Sequence, residues 1–175
     1  MPAKPGHMAP ALALPTLTGD YDLARDAGEN GTLIVFYRGL HCPLCIKQLG
    51  ELNARRWEFA DRKVTLLAVS ADPEGNTRET IEKADAHDLT VAHSLPLKDA
   101  REDWGLAIST ARPDSQEPER FSEPGIFYIR PDGTVWASWT QTTPFGRPPI
   151  DGLLRGIDFA IDKGYPPRGT YEGEL

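Results

Sequence analysis

The chain has 175 residues, 39% hydrophobic and 26% charged, with a formal charge of -7. That is roughly one domain's length with apolar content enough for a packed core, which excludes a mainly disordered chain. Nineteen basic against 26 acidic residues, with no cluster of Lys and Arg, exclude nucleic acid as the expected partner.

Residues 1–15 hold four prolines (Pro2, Pro5, Pro10, Pro15) and read as an extended, partly mobile arm ahead of one domain over 16–175. Their single early Lys and proline-broken apolar stretch make a poor signal peptide, so a cytoplasmic protein is expected. No apolar run reaches the roughly 18–20 residues that cross a bilayer, and no membrane partner is expected. Thr32–Tyr37, after Asn30-Gly31, is a β-branched and aromatic run that predicts a strand buried on both faces. Arg38–His41 then turns the chain. From Pro43 the pattern is helical: Cys45, Leu49, Leu52 and Phe59 fall on one stripe, and Pro43 suits a first helical turn.

Val64–Ser70 predicts a second buried strand, ended by Asp72–Gly75. Asn76 and Glu79 have capping-box spacing, ahead of a helix with Ile81, Ala84 and Leu89 on its apolar side. Val91–His93 reads as a short strand, Asp99–Trp104 as a short helix, and 108–122, broken by Pro113 and Pro118, as a loop. Gly125–Ile129 predicts a strand, Pro131-Asp132-Gly133 a turn, and Val135–Trp139 its hairpin partner, with Trp136 and Trp139 on opposite faces. Ile150, Leu153, Leu154, Ile157 and Ile161 mark a last helix, stopped at Gly164 and Pro166. The order β-α-β-α-β-(α)-β-β-α predicts an α/β fold: a central mixed sheet with helices on both faces, three layers in all.

Both cysteines lie in Cys42-Pro43-Leu44-Cys45. Two cannot make a disulfide framework for a domain of this size. Their place, after a buried strand and at a helix start, carries the chemistry. Helix N-termini present free N–H groups and about half a positive charge, which stabilises a thiolate there. Arg38 and His41 are candidates to add positive potential. Cys42, at the cap, is expected to face solvent and act as nucleophile; Cys45, one turn deeper on the apolar stripe, is the resolving thiol. The spacing lets the two sulfurs form an intramolecular disulfide. A zinc site would need two more ligands, and His41, His87 and His93 lack the matching spacing. Two inert core cysteines are the remaining alternative.

The segment Phe36-Tyr37-Arg38-Gly39-Leu40-His41-Cys42-Pro43-Leu44-Cys45, with Gln48-Leu49-Gly50-Glu51-Leu52, resembles the active-site segment of the thioredoxin-like superfamily. It looks most like its peroxiredoxin-like branch, the alkyl hydroperoxide reductase/thiol-specific antioxidant group. The resemblance continues through Val69–Asp72, Leu95–Asp99 with Trp104–Leu106, Pro124–Ile129 and Pro131–Gly133, about residues 16–162 in all. It implies a thioredoxin-like fold and a thiol–disulfide oxidoreductase with no tightly bound organic cofactor. Its partners would be a protein or small-molecule disulfide, or a peroxide, and a cellular thiol reductant. In a peroxiredoxin register set on Phe36-Tyr37, Arg38 takes the family's proline position, Cys42 its Thr position and Cys45 its peroxidatic position; counted back from Cys42 instead, Val35 and Gly39 take the proline and Thr positions. An atypical peroxidase is therefore one alternative, and a redox-inactive binding module on the same fold is another. Chains of this superfamily occur as monomers and as homodimers.

The resemblance also assigns Pro124 to the place of the thioredoxin cis-proline, which predicts a cis Glu123–Pro124 bond. The topology brings Ser70-Ala71-Asp72 to the same sheet end as the cysteines, where open α/β sheets bind ligands. It sets the loop Gln141–Arg147 over them. There Phe145 is a candidate apolar contact for a partner, and Arg147 a candidate cation for a thiolate or an acidic substrate.

Overall fold

The computed structural model describes residues 2–174. Its centre is a seven-stranded sheet. In chain order the elements are β1 (Ala13–Thr16), β2 (Gly19–Asp22), α1 (Leu23–Asp26), β3 (Thr32–Phe36), α2 (Pro43–Ala54), α3 (Arg56–Asp61), β4 (Thr65–Val69), α4 (Glu74–Ala84), β5 (Thr90–Ala92), α5 (Leu97–Glu102), β6 (Ile108–Thr110), β7 (Arg120–Ser122), β8 (Gly125–Ile129), β9 (Val135–Thr140) and α6 (Ile150–Lys163). The strand order is β2-β1-β5-β4-β3-β8-β9. β3 pairs β4 in parallel and β8 antiparallel, Phe36 lying beside Val69 and Gly125.

Every residue of β3 is buried, because strand alternation sends Leu33 and Val35 to one face and Ile34 and Phe36 to the other. Cys45, Leu49 and Leu52 of α2, Phe59 of α3, Ile81 of α4 and Leu153, Leu154 and Ile157 of α6 cover the first face. Ala100 of α5 covers the second, together with Leu12, Tyr21, Trp104 and Leu106. This is the thioredoxin-like three-layer arrangement. No helix among the described residues is long and apolar enough to cross a membrane.

Several local expectations need correction. Residues 3–9 are fastened rather than loose: Gly6 and Val135, His7 and Val135, and Ala9 and Gly133 share backbone hydrogen bonds, and Ala13–Pro15 already belong to β1. The β1–β2 hairpin was not foreseen, because Pro15 reads as a breaker; at that position its carbonyl serves His93 N–H instead. The helix after the cysteines breaks at Arg55 (φ −110, ψ 11), which keeps Phe59 on the core. No capping box forms at Asn76. The helix starts two residues earlier, with Pro73 as its cap, so Asn76 stands inside its first turn. The expected loop 108–122 begins and ends in a two-stranded sheet, β6–β7. A register shift beside Tyr128–Ile129 inserts Trp136 as an extra residue in β9, so Trp136 and Trp139 pack against the same core cluster and not on opposite faces.

The packing of α2 gives a first prediction. A Cβ on Gly50 would stand 2.7 Å from the Ala84 carbonyl oxygen of α4. Alanine gains up to about 1 kcal/mol of helix propensity there. Forcing two packed helices apart costs about 1–3 kcal/mol. Gly50→Ala therefore lowers the urea midpoint without changing the slope of the transition; a raised midpoint would disprove the close approach.

Candidate active site

The C-terminal end of β3 delivers Tyr37 to the core and Arg38–His41 to a turn, closed by Cys42 N–H donating to Gly39 O at 3.1 Å. Asp72, arriving from the end of β4, shapes this turn. Its buried carboxylate accepts from Leu40 N–H at 2.7 Å. Gly39 is required beside it: φ is +129°, and a Cβ would lie 2.7 Å from both Asp72 oxygens. Burial pushes the Asp72 carboxyl up, against the hydrogen bonds from Leu40 N–H and the Asn76 side chain.

Cys42 is the N-cap of α2 and Pro43 opens the helix, as the sequence implies. Cys42 Sγ accepts from Cys45 N–H at 3.3 Å, and the two free sulfurs lie 2.7 Å apart. Two further donors reach Cys45 Sγ: Arg38 N–H at 3.4 Å and Arg147 Nη2 at 3.0 Å. Arg147 Nη2 is 3.9 Å from Cys42 Sγ. The Arg147 guanidinium is itself held by Pro144 O, Leu44 O and Gln48 Oε1. The loop 141–149 thus covers the sulfurs. Cys42 is only 2% exposed and Cys45 fully buried, which corrects the expectation that the Cys42 sulfur faces solvent.

The two thiols differ in acidity. The hydrogen bond donated by Cys45 lowers the Cys42 thiol to about 6, outweighing burial, with help from Cys45 N–H, Arg147 and Arg38. Burial pushes the Cys45 thiol up, and its role as donor to Cys42 pushes the same way. One proton shared between two sulfurs is the physical picture.

The other sequence-predicted residues fall in different places. Arg38 turns its side chain away, toward Glu123 and Glu117, with its guanidinium 4.5 Å above the Phe121 ring. His41 packs on the same Phe121 ring, centroids 4.6 Å apart, and both its ring nitrogens are buried without a partner. Burial, then Arg38, hold its pKa below the ordinary histidine value, so it does not carry the expected positive charge at neutral pH. Pro124 is buried at the register position beyond the Phe36–Gly125 pair, at the cysteine end of the sheet. The Glu123–Pro124 bond is trans, since no peptide bond among the described residues is cis. Gln141 N–H donates to Pro124's own carbonyl, where the hairpin begins. Phe145 is 79% exposed on the rim of a groove of about 230 Å³ that Leu44, Gln48, Pro144 and Arg147 also line. Sequence reasoning missed Gln48 and Glu117. Gln48 falls in the motif segment, but its partner is 99 residues away; Glu117 sits in a polar stretch with no periodicity to single it out.

Among the described residues, no group of three or more His, Cys, Asp and Glu gathers to hold a metal ion. A curated relative, a 1-Cys peroxiredoxin of Medicago truncatula, is 23% identical over 155 residues, spanning 87% of this chain and 71% of that protein. Among solved structures, a mutant of peroxiredoxin 6 of Arenicola marina matches with a TM-score of 0.75 at 18% identity, covering 89% of this chain and 72% of the other. The reduced 2-Cys peroxiredoxin of Plasmodium vivax matches with a TM-score of 0.74 at 20% identity, covering 99% and 92%. The model of the AhpC/TSA family matches residues 5–138. With that much of its length matched, the chain belongs to the AhpC/TSA family and is a thiol-dependent antioxidant oxidoreductase.

Proposed function

We propose that Cys42 and Cys45 are the redox pair and that the enzyme reduces a hydroperoxide. The Cys42 thiolate attacks the terminal peroxide oxygen; the O–O bond breaks, and the alkoxide or hydroxide leaves and takes a proton. The Cys42 sulfenic acid then meets the Cys45 thiol, losing water and closing the disulfide. A cellular thiol reductant returns two electrons and two protons. Two sulfurs 2.7 Å apart at a helix start, beneath the Arg147 guanidinium, carry this reading.

A second reading has a specific observation behind it. Arg38 N–H and Arg147 both donate to Cys45 and not to Cys42 at comparable distance, which favours Cys45 as first attacker. The lowered Cys42 pKa and the burial of Cys45 favour Cys42.

Stopped-flow mixing of the reduced chain with hydrogen peroxide tests the function. One equivalent is consumed, two titratable thiols disappear, and one intramolecular disulfide forms. The thiolate is the reactive form and its pKa is lowered, so the rate climbs as pH rises through about 6 and then levels. A rate matching a free thiol refutes the peroxidase reading, and a fast rate still climbing through pH 8–9 refutes Cys42 as the first attacker.

A further inference from the structure

Two guanidinium groups stand at this site, and their surroundings differ. Arg147 lies across the sulfurs, and among the described residues no carboxylate pairs with it. Arg38 is enclosed. Its Nε lies 3.3 Å from Glu123 Oε2 and its Nη2 3.5 Å from Glu117 Oε1. Both carboxylates are deep: their side chains are 4% and 5% exposed. Glu123 is held in turn by Ser109 Oγ–H at 2.6 Å; Glu117 is held by Arg112, whose N–H donates at 2.8 Å and whose Nε lies 3.1 Å away, so Glu117 is shared between Arg112 and Arg38. Ser109 stands in β6, Glu123 just after β7 and Glu117 between the two strands, so this small sheet is fastened onto Arg38. The same residue's backbone N–H points at Cys45 Sγ.

We propose that Glu123, with Glu117, is a positioning residue that acts through Arg38: it draws the guanidinium away from the thiols and offsets part of its charge, leaving Arg147 as the main cation that sets thiolate stability. The inference rests on the redox-pair reading above. Its consequence is electrostatic. A second uncompensated cation would stabilise the reduced thiolate further and make the disulfide a stronger oxidant, as happens when a redox cysteine becomes more acidic. The carboxylates hold the pair back from that state. The other titratable groups around this turn do not duplicate this role. Tyr37, from the end of β3, is neutral, its pKa raised by burial to about 12. His41 is neutral at pH 7 and Asp72 is bound to the Leu40 amide.

Glu123→Gln keeps the shape and the acceptor for Ser109 while removing one charge. The pH titration of thiolate absorbance is expected to shift down by about half a unit, since a nearby opposite charge is worth about 1–3 units at contact and less further off. In a glutathione redox buffer at neutral pH the reduced fraction rises correspondingly, by about threefold in the equilibrium constant. Glu117→Gln moves both readouts in the same direction, and serves if Glu123→Gln does not fold. Glu123→Asp retains the charge and brings the midpoint back toward that of the native chain. A purely structural role would lower the melting temperature and leave the midpoint in place. An unmoved or raised midpoint in the folded glutamine variants, beside a native chain that consumes peroxide, overturns the inference alone. A native chain that consumes no peroxide and shows no acidic thiol overturns the reading beneath it.

Discussion

Cys42→Ser is expected to lose peroxide reduction by at least ~10³-fold, the scale for removing a nucleophile that chemistry requires. Cys45→Ser is expected to keep the first step and lose the cycle. In that variant one equivalent of peroxide is consumed and a sulfenic acid accumulates on Cys42, trapped by a 1,3-diketone and located by mass spectrometry. The first step slows by no more than about tenfold, because a serine hydroxyl still donates toward the sulfur, though across a longer gap than the present 2.7 Å. Its rate–pH curve moves to higher pH, since the hydrogen bond from Cys45 is the largest influence lowering the Cys42 thiol. The reciprocal pattern, a stoichiometric burst in Cys42→Ser and silence in Cys45→Ser, would assign the first attack to Cys45, the position that the register set on Phe36-Tyr37 favours. A burst in both variants would mean that neither sulfur is specialised, and the division of labour drawn from their burial would fall.

The parts legible in the sequence were those where the cause is local. Thr32–Phe36 reads as a doubly buried strand because every side chain in it is apolar or β-branched, and it lies inside the sheet between β4 and β8. Pro43 after Cys42 marks a helix start because proline lacks the donor that a first turn leaves free, and Cys42 is that helix's cap. The placing of Arg147 over the cysteines followed from topology: β9 returns to the cysteine end of the sheet, and its outgoing loop has nowhere else to pass.

What was not legible depends on contacts between distant residues. Burial of Cys42 needs Arg147, and Arg147 needs Gln48 and Leu44 to fix it; no spacing within the motif encodes that. Arg38 does lend some of its charge to the Cys42 thiol, as the sequence suggests, but less than Arg147 does: its side chain leans the other way because Glu117 and Glu123 lie in a stretch that reads as polar loop. The cis-proline expectation came from thioredoxin resemblance, and here a trans Pro124 supplies its carbonyl to Gln141 N–H. Trp136 and Trp139 share a face because a bulge changes the count by one, which strict alternation cannot foresee.

Arg147 performs two jobs, acidifying the thiols and covering them, and its replacement separates the two by pH. Arg147→Met removes the cation nearest the sulfurs, so the Cys42 midpoint rises from about 6, by about one unit for a charge at this distance. At pH 6 the variant therefore has several-fold less thiolate, and its alkylation and peroxide rates fall together, by about five- to tenfold. Above both midpoints the thiolate fractions converge. There the missing cover dominates: the three anchors to Pro144 O, Leu44 O and Gln48 are gone, Cys42 opens from its 2% exposure, and alkylation by a neutral haloamide becomes faster than in the native chain. The two rate–pH curves must cross. Arg147→Lys is the discriminating control. It keeps a cation but not the planar fork that reaches three acceptors at once, so its midpoint stays near the native one while its high-pH alkylation resembles the methionine variant. Parallel curves that never cross would show that Arg147 does one job only; an unmoved midpoint in Arg147→Met would show that the helix terminus and the neighbouring thiol acidify Cys42 without it.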